Sequence, residues 1–460
     1  MNTAVQPAPG VTQRVAEYVA SASIARLPPK TVESAKKLLL DGIGCLIAGT
    51  AGTEGAIAAA ASAELATTSE ASSVFINRTR ASARDAAFVN GITLYSVGVN
   101  DIHKPSGSHP GGCIIPVLLA VGEWKNSSGE ELIAAMAAGY DLMGKLGRAL
   151  IPSHRDRGFH PTGTFGAFGA TAAGARLLKL DAKRTACALG IAGSQAAGLK
   201  AFQTDGSSTM IFHAGRAAQN GVEAAVLAQH GFTGPRTVLE DRQGFAAATA
   251  DEYRIEAITA GLGSEFEVDA TTFRPFYGCT LTICASAATA EVIKRHPGKK
   301  AADVAAIKVR CHPVVIEEVG NANPETLLAA RLSLPYNVAL VIARGDVVVA
   351  DLGEVDLWDE GIRRLLPRVT FESDASMPRY GSAVTIRFAR GGEDEAENLS
   401  PKGDPENPMT WEDIVQKFLR LVAPVAVNDK ATAVASLVRN LEKTNGRALA
   451  AAIRAACGGA

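Results

Sequence analysis

The feature that most constrains the fold is a change of pattern a little beyond the middle of the chain. Residues 11–265 carry one helical pattern after another, and their apolar positions hold Ala and Gly rather than aromatic residues, which make up only 5% of the chain. Small side chains let helix axes approach closely, so this part predicts a compact bundle with buried helices in its middle. From about residue 268 the pattern changes to short alternating runs separated by turn-forming residues, which is typical of β-strands.

The second part of the chain alternates between strand-like and helical patterns. Its strand-like runs include ADVAAIKVRCHPVV, GDVVVADL, LPRVTFESD and GSAVTIRFARGG, and the helical pattern ETLLAARLSLPYNVALVIARG lies between them. Residues 390–409 have the composition of a charged connector rich in Pro and Gly. After them, Thr410 stands three residues before Asp413, which predicts a helix that begins with a capping box. The rest of the chain returns to an Ala-rich helical pattern.

These patterns divide the chain into two domains. At 460 residues the chain exceeds the size at which a single hydrophobic core stops growing. We therefore predict a mainly α fold, in which a large all-helical domain is interrupted by a smaller α+β domain. The predicted bounds are 1–267 for the first part of the helical domain, 268–400 for the inserted α+β domain, and 401–460 for the return to the helical domain.

Composition and charge exclude several classes of protein. With 46 Lys and Arg against 47 Asp and Glu, the chain has no overall charge that would favour nucleic acid or a membrane surface as a partner. The N-terminus lacks the pattern of a signal peptide, and the most apolar run, CIIPVLLAVGEW, is too short to span a bilayer. Seven scattered cysteines without CxxC spacing are typical of buried thiols in a reducing compartment. We therefore expect a cytoplasmic protein.

The histidines gather in a few polar segments of an otherwise apolar chain. Three of them stand in similar company, in SHPGG, FHPTG and FHAGR, which suggests imidazoles presented where helices begin. The free N–H groups and the positive dipole end at such a position also favour an anion. Further polar segments are NDIHKPSGSHPGG, AGLKAFQTDGSS and FRPFYGCTLT. Five of the eight histidines lie between residues 103 and 213, at positions 103, 109, 154, 160 and 213.

Metal and nucleotide sites are weakly supported by these segments. His103 and His109 are six residues apart in a loop, and no HExxH motif or paired-cysteine spacing accompanies them. The glycines of GTFGAFGATAAG form GxxGxxG rather than GxGxxG, so close helix packing explains them better than a dinucleotide does. A histidine can also simply satisfy buried hydrogen bonds. What remains is metal-free proton transfer on a carboxylate substrate, which needs a base near neutral pKa and cations for the developing charge.

Several long segments together resemble the MmgE/PrpD family, which includes 2-methylcitrate dehydratase, cis-aconitate decarboxylase and iminodisuccinate epimerase. The resemblance runs along nearly the whole chain and includes FVNGITLYSVGVNDIH, SHPGGCIIPVLLAVGE, GFHPTGTFGAFGATAAGARLLKLD, FRPFYGC and SPKGDPENPMTWEDIVQKF. It implies a large helical domain built from both ends of the chain, a smaller α+β lid inserted between them, and a homodimer. It also implies catalysis without a metal or cofactor, in a cleft between the two domains.

The resemblance carries over to site residues only where this sequence matches the family. In the segment that corresponds to the family's DFDDTH, Asp101 and His103 match, whereas Gly98 and Ile102 replace family residues. Met210 stands where the family has a lysine that contacts substrate. The matching positions, with Lys200 as a replacement for the lost lysine, give a catalytic set and a substrate-binding set. The catalytic set comprises Asp101, His103, His109 and His160, and the substrate-binding set comprises Lys200, His213, Arg274 and Tyr277.

The predicted function is a cofactor-free lyase, a dehydratase or hydratase of a β-hydroxy di- or tricarboxylate similar to 2-methylcitrate. His109 or His160 would move the α-proton, and Asp101 would orient His103 or act as the partner acid. Lys200 and Arg274 would hold carboxylates, with Lys200 replacing the charge lost at Met210. The alternatives are an epimerase or isomerase, a decarboxylase, and a catalytically silent member that binds a small acid. The expected partners are a carboxylate substrate and a second copy of the chain, with no nucleic acid and no membrane.

Overall fold

A computed structural model of the chain describes residues 9–65, 70–345 and 354–458, and helices dominate it. The helices of the first part are α1 (Val11–Ser21), α2 (Pro29–Gly49), α3 (Thr53–Glu64), α4 (Ala83–Ser96), α5 (Pro110–Lys125), α6 (Gly129–Leu150), α7 (Ser153–Asp156), α8 (Pro161–Leu177), α9 (Ala182–Gln195), α10 (Phe202–Asp205), α11 (Thr209–Gln229) and α12 (Phe245–Thr249). Those of the rest are α13 (Thr280–Arg295), α14 (Pro313–Val319), α15 (Leu327–Arg331), α16 (Leu334–Arg344), α17 (Glu354–Leu357), α18 (Glu360–Leu365), α19 (Trp411–Val422), α20 (Asn428–Arg439) and α21 (Gly446–Ala456).

The strands form two separate sheets. A four-stranded sheet has the order β4-β3-β5-β6, in which β3 is parallel to β4 and antiparallel to β5. A two-stranded hairpin, β1-β2, lies among the first helices. The strands are β1 (Ser72–Val74), β2 (Thr79–Ala81), β3 (Val304–Cys311), β4 (Val369–Ser373), β5 (Ser382–Phe388) and β6 (Glu393–Asn398).

Local sequence explains where the principal helices begin. Pro29 occupies the first turn of α2, where its missing N–H has no partner to lose. Ser128 accepts from the backbone N–H of Glu131, and the Glu131 side chain accepts in return, which is the capping box that starts α6. The predicted capping box of Thr410 and Asp413 is confirmed at the start of α19.

Two details differ from the sequence prediction, and one predicted segment is not tested. The hairpin β1-β2 lies within 1–267, so the larger part is not all-helical. Residues 390–409 were predicted to be a connector, but they contain β6, which pairs with β5 along six residues. The strand-like run GDVVVADL lies outside the described residues from position 346 onwards. The mainly α class itself is confirmed.

Buried apolar side chains form two clusters. The first cluster combines residues from 15–273 with residues from 409–457, and the second uses residues from 277–396. In the second, α13 and α16 pack together and α13 covers β5 and β6. Both ends of the chain therefore build one core and the middle builds another. That the smaller cluster acts as a lid stays a prediction.

The length and hydropathy of the helices bear on whether one could span a membrane. Within the described ranges, no single helix is both long and apolar enough to cross a bilayer. The pair α2 and α3 meets the length and composition together, but the two helices are bent by 81°.

Candidate active site

A cleft between the two clusters brings together four of the eight predicted site residues. It holds about 830 Å³ of open space, including the solvent at its mouth. Its walls come from the start of α5, the start of α8, the segment before α10, the start of α13 and the end of α15. The predicted residues that line it are His109, His160, Lys200 and Arg274.

His109 stands at the N-cap of α5, as predicted for a histidine at a helix entrance. Its Nδ1 lies 2.6 Å from the backbone carbonyl oxygen of Asp101. A carbonyl can only accept, so Nδ1 carries the proton and Nε2 carries the free lone pair. Burial lowers the pKa of His109 well below its usual value, and the nearby Arg274 guanidinium lowers it further. The side chain is therefore a neutral imidazole with a basic nitrogen available at the cleft.

Asp101 holds His109 in place and does not line the cleft. Its carboxylate accepts from the backbone N–H of Gly111 at 3.0 and 3.1 Å and from the hydroxyl of Tyr140 at 2.9 Å. Burial raises the pKa of Asp101, and the hydrogen bond from Tyr140 lowers it by less, so that the pKa is about 6. Asp101 was predicted to orient His103 or to act as an acid, but its contact is with His109 through the main chain.

His160 stands at the N-cap of α8, and its partner is a second histidine. The Nδ1 atoms of His160 and His213 lie 2.9 Å apart, so one of the two rings donates to the other. Burial lowers the pKa of His160 well below its usual value, with a smaller effect of His213, and burial lowers that of His213 to about 4. His213 was predicted at a helix entrance, but it lies inside α11, one turn from its start.

Arg274 is buried in the wall of the cleft with only 1% of its surface exposed. Nε and Nη2 donate to the backbone and side-chain oxygens of Asn100 at 2.5 and 2.9 Å, and Nη1 donates to the carbonyl of Gly278 at 2.7 Å. All three acceptors are neutral. Burial and the adjacent Arg331 lower the pKa of Arg274 to about 10, so it stays cationic at neutral pH.

His103 and Tyr277 lie away from the lining of the cleft. His103 is fully buried, with Nδ1 at 2.9 Å from Ser106 Oγ and Nε2 at 2.8 Å from a carboxylate oxygen of Glu267. Glu267 also binds Arg148, and this set of contacts lowers its pKa to about 2. The Tyr277 hydroxyl donates to the carbonyl of Leu327 at 2.9 Å. The polar atoms of both side chains make hydrogen bonds outside the cleft, and their catalytic and substrate-binding roles stay predictions.

Lys200 and Met210 line the same cleft. This placement is what the prediction requires, in which Lys200 replaces the positive charge of the family lysine at position 210. Among the described residues, Lys200 makes no ion pair, and burial lowers its pKa. At the mouth of the cleft, Glu318 from α14 binds Arg155 from α7, and it lies 3.3 Å from Arg379. Glu318 thereby joins the two clusters across the cleft.

Sequence reasoning missed several residues of the cleft wall, among them Arg331 and Cys279. Arg331 ends α15 in the Ala-rich segment LLAARL, which looks like ordinary helix. Cys279 was noted only as a scattered cysteine, yet it is the N-cap of α13. The sequence indicated Arg331 only indirectly, because Gly98 stands where the family has an acidic residue.

The described residues offer no cluster of metal ligands. In the parts of the chain that the structure describes, no group of three or more His, Cys, Asp or Glu side chains is placed to hold a metal ion.

Comparison with known proteins identifies the family. The model of the MmgE/PrpD N-terminal domain matches residues 13–257, and that of the MmgE/PrpD C-terminal domain matches residues 277–443. The chain belongs to the MmgE/PrpD family. It is 27% identical to the cis-aconitate decarboxylase-like protein oryM of Aspergillus oryzae, over 95% of each chain. It is 26% identical to the cis-aconitate decarboxylase of Homo sapiens, over 94% of this chain and 92% of the human protein.

The mouse cis-aconitate decarboxylase is similarly related, at 25% identity over 94% of this chain and 91% of the relative. These matches extend over both clusters and the cleft between them. Membership of the family therefore supports a lyase-type function for this chain at the level of the family.

Proposed function

We propose that the protein is a cofactor-free lyase, a dehydratase or hydratase of a β-hydroxy di- or tricarboxylate. The observation that carries this proposal is the state of His109. Its Nδ1 donates to a main-chain carbonyl and its pKa is lowered, so a neutral imidazole base faces a cleft with buried Arg274 beside it. A base and a fixed cation are the two elements that abstraction of a proton next to a carboxylate requires.

The steps follow from the placement of these groups. A substrate carboxylate binds Arg274, with Lys200 available to a second one, and the cations withdraw charge from the neighbouring carbon. His109 then takes the proton from that carbon through Nε2, and the resulting charge spreads onto the carboxylate that Arg274 holds. Bound carboxylates raise the pKa of His160 from its lowered value in the free cleft, so that His160 takes up a proton and gives it to the departing hydroxyl, which leaves as water. His109 then returns the proton it took to solvent, and the pairing of His160 with His213 offers a route for the proton that enters. Two imidazoles on one cleft suit this elimination, which needs both a base and an acid.

Decarboxylation is the second candidate, and the names of the relatives favour it. The oryM protein and the human and mouse relatives carry the name cis-aconitate decarboxylase or a name that likens them to it. Loss of CO2 leaves the same type of carbanion next to a carboxylate, which then takes up one proton. An epimerase would return the proton to the opposite face of the same carbon. The three reactions share the site and differ in the bond that breaks.

The deciding experiment is proton NMR of the purified protein in D2O with hydroxy and unsaturated di- and tricarboxylates, with and without a chelator. Vinyl signals that arise from a hydroxy acid and persist in chelator would support the dehydratase. Formation of CO2 with deuterium in the product would establish the decarboxylase. Exchange of the α-proton without net elimination would establish an epimerase. Tight binding without turnover or exchange across the panel would identify a silent acid-binding member and refute a lyase.

The same proposal includes a homodimer in the cytoplasm. The homodimer follows from the family resemblance. The cytoplasm follows from the scattered thiols, which favour a reducing environment. Light scattering coupled to size-exclusion chromatography gives the mass in solution directly. A mass of one chain at micromolar concentration would refute the dimer.

A further inference from the structure

Two buried arginines, Arg274 and Arg331, line the cleft, and Arg331 has no assigned role. Arg331 is 4% exposed and lines the same cleft as Arg274. Its Nη1 is buried without a hydrogen-bond partner. Within residues 9–65, 70–345 and 354–458, no carboxylate forms an ion pair with Arg274 or Arg331. The Arg331 guanidinium has instead the face of Tyr95, whose ring centroid is 5.7 Å from Cζ.

The position of Arg331 depends on Gly98. A Cβ built on Gly98 would lie 2.6 Å from both Cζ and Nε of Arg331, well inside contact distance. Gly98 also has φ of +81°, a conformation that residues with a side chain rarely adopt. Any larger residue at position 98 would therefore displace the guanidinium from the cleft wall.

The charges of the cleft are far from balanced. Among the described residues that line it, the cationic side chains are Arg155, Lys200, Arg274, Arg331 and Arg379, and the carboxylate is Glu318. Glu318 is already paired at the mouth with Arg155 and Arg379. Burial of a guanidinium without a partner is strongly unfavourable unless an anion accompanies it. The inner wall is thus incomplete without an anionic ligand.

We propose that Arg331 and Arg274 together form a carboxylate-binding subsite, which Gly98 makes possible and which selects substrates with at least two carboxylates. This rests on the proposed function of the cleft. One carboxylate bridges the two guanidiniums, taking the free N–H groups of Arg331 and those of Arg274 that Asn100 and Gly278 leave open. A second carboxylate meets Lys200. Guanidiniums suit this role because their planar N–H groups match the two oxygens of a carboxylate.

The test compares wild type with Arg331→Met, Arg331→Lys and, as a matched control, Arg344→Met. Arg344 lies in the same cluster but pairs with Asp356 and Asp359, away from the cleft. The probe is propane-1,2,3-tricarboxylate, which lacks the hydroxyl and double bond of a substrate, with acetate and inorganic phosphate as comparison anions. Calorimetry gives the affinities, and thermal unfolding with and without the probe gives the stability.

Two opposite effects are expected from Arg331→Met. It should weaken binding of the tricarboxylate about 10- to 100-fold, the effect of one lost charged hydrogen-bonding partner. It should also raise the Tm of the ligand-free protein, because it removes a buried charge without a partner. Arg331→Lys should recover part of the affinity. Arg344→Met should lower the Tm and leave the affinity as in wild type.

Several results would overturn the subsite. One is an affinity of the Arg331→Met protein for the tricarboxylate equal to that of wild type. Another is a Tm of the ligand-free Arg331→Met protein below that of wild type. Tighter binding of phosphate or acetate than of the tricarboxylate would also refute it. If Arg331→Met does not fold, an Arg331→Lys protein with wild-type affinity for acetate and tricarboxylate alike refutes it. Arg331-dependent binding of the tricarboxylate without turnover of any acid would refute the proposed lyase and leave the subsite standing.

Discussion

At the scale of single residues, the site depends on how main-chain atoms set the protonation of side chains. The Asp101 carbonyl fixes the tautomer of His109, and the Asp101 carboxylate is bound by Gly111 and Tyr140. An acidic residue thereby orients the base through its backbone, while its carboxylate anchors the start of α5. This division of labour keeps a second negative charge away from the carbon where negative charge would develop.

The first prediction concerns His109→Gln. The amide keeps hydrogen-bonding capacity but has no basic nitrogen, so kcat should fall about 10²- to 10⁴-fold with KM changed only a few-fold. Wild-type activity should persist below pH 6.5, because a base whose pKa is lowered stays unprotonated there. Steady-state kinetics over a pH series measures both effects. The control is His296→Gln, which removes an imidazole bonded to Asp394 in the other cluster.

Full activity of His109→Gln would transfer the role of base to His160. Loss of activity in His296→Gln as well would point to a general loss of structure in both variants. Circular dichroism of the two variants at the assay temperature separates that case from a loss of chemistry.

The sequence identified His109, His160 and Arg274 of the cleft but not Arg331. The loops before α5 and α8 combine His with Pro and Gly, so local pattern was enough to find His109 and His160. Arg331 comes from a distant segment, and only the tertiary packing beside Gly98 brings it into the cleft. Conversely, His103 looked functional, but the side chain that engages it, Glu267, could not be recognised from a local motif.

At the scale of elements, local chemistry predicted helix ends better than strand pairing. The capping box at Thr410 and the prolines after His109 and His160 act within one turn, so the residues themselves specify the boundary. β6 was missed because EDEAEN is acidic and has low strand propensity. Its strand conformation comes from the pairing with β5, which is a tertiary contact.

The glycines of GTFGAFGATAAG behave as the packing interpretation predicted. A Cβ on Gly163, Gly166 or Gly169 would meet Ala197 O at 2.6 Å, Cys113 Sγ at 2.6 Å or Gly139 O at 2.9 Å. Distances under 3.0 Å require the neighbour to move. The three glycines therefore let α8 approach the elements around it on several sides.

The second prediction follows for Gly169→Ala. Alanine has the higher helix propensity, by about 1 kcal/mol, but here the added methyl group pushes against the backbone of α6. We expect a net loss of about 1–3 kcal/mol in the free energy of unfolding, measured by urea denaturation. Gly174→Ala on the same helix, with its nearest contact at 3.3 Å, should lose less or gain slightly. Equal stabilisation of both variants would refute close packing as the reason for the motif.

At the scale of the whole molecule, the buried titratable groups determine how stability responds to acid. The pKa values of His103, His109, His160 and His213 are lowered, as is that of His154, mainly by burial. Below pH 6.5 these imidazoles take up protons in the unfolded chain and stay neutral in the folded one. The free energy of unfolding therefore decreases as the pH decreases. Burial raises the pKa values of three carboxyl groups, and these groups change the stability in the opposite direction. They are Asp41, Asp101, whose pKa rises to about 6, and Asp141, whose pKa rises to about 7.

The third prediction isolates one of these groups in His154, which lies away from the cleft lining. Its ring nitrogens contact the Thr249 and Thr164 hydroxyls at 3.0 and 2.8 Å, and burial lowers its pKa from 6.5 to about 4. Wild type should therefore lose roughly 3 kcal/mol more stability than His154→Gln between pH 7 and pH 4, since glutamine does not titrate. Urea denaturation at steps across this range measures the difference, in which the other titrating groups cancel. Parallel curves for the two proteins would mean that His154 is protonated in the folded state without penalty. In that case the loss of stability in acid would come from the remaining histidines.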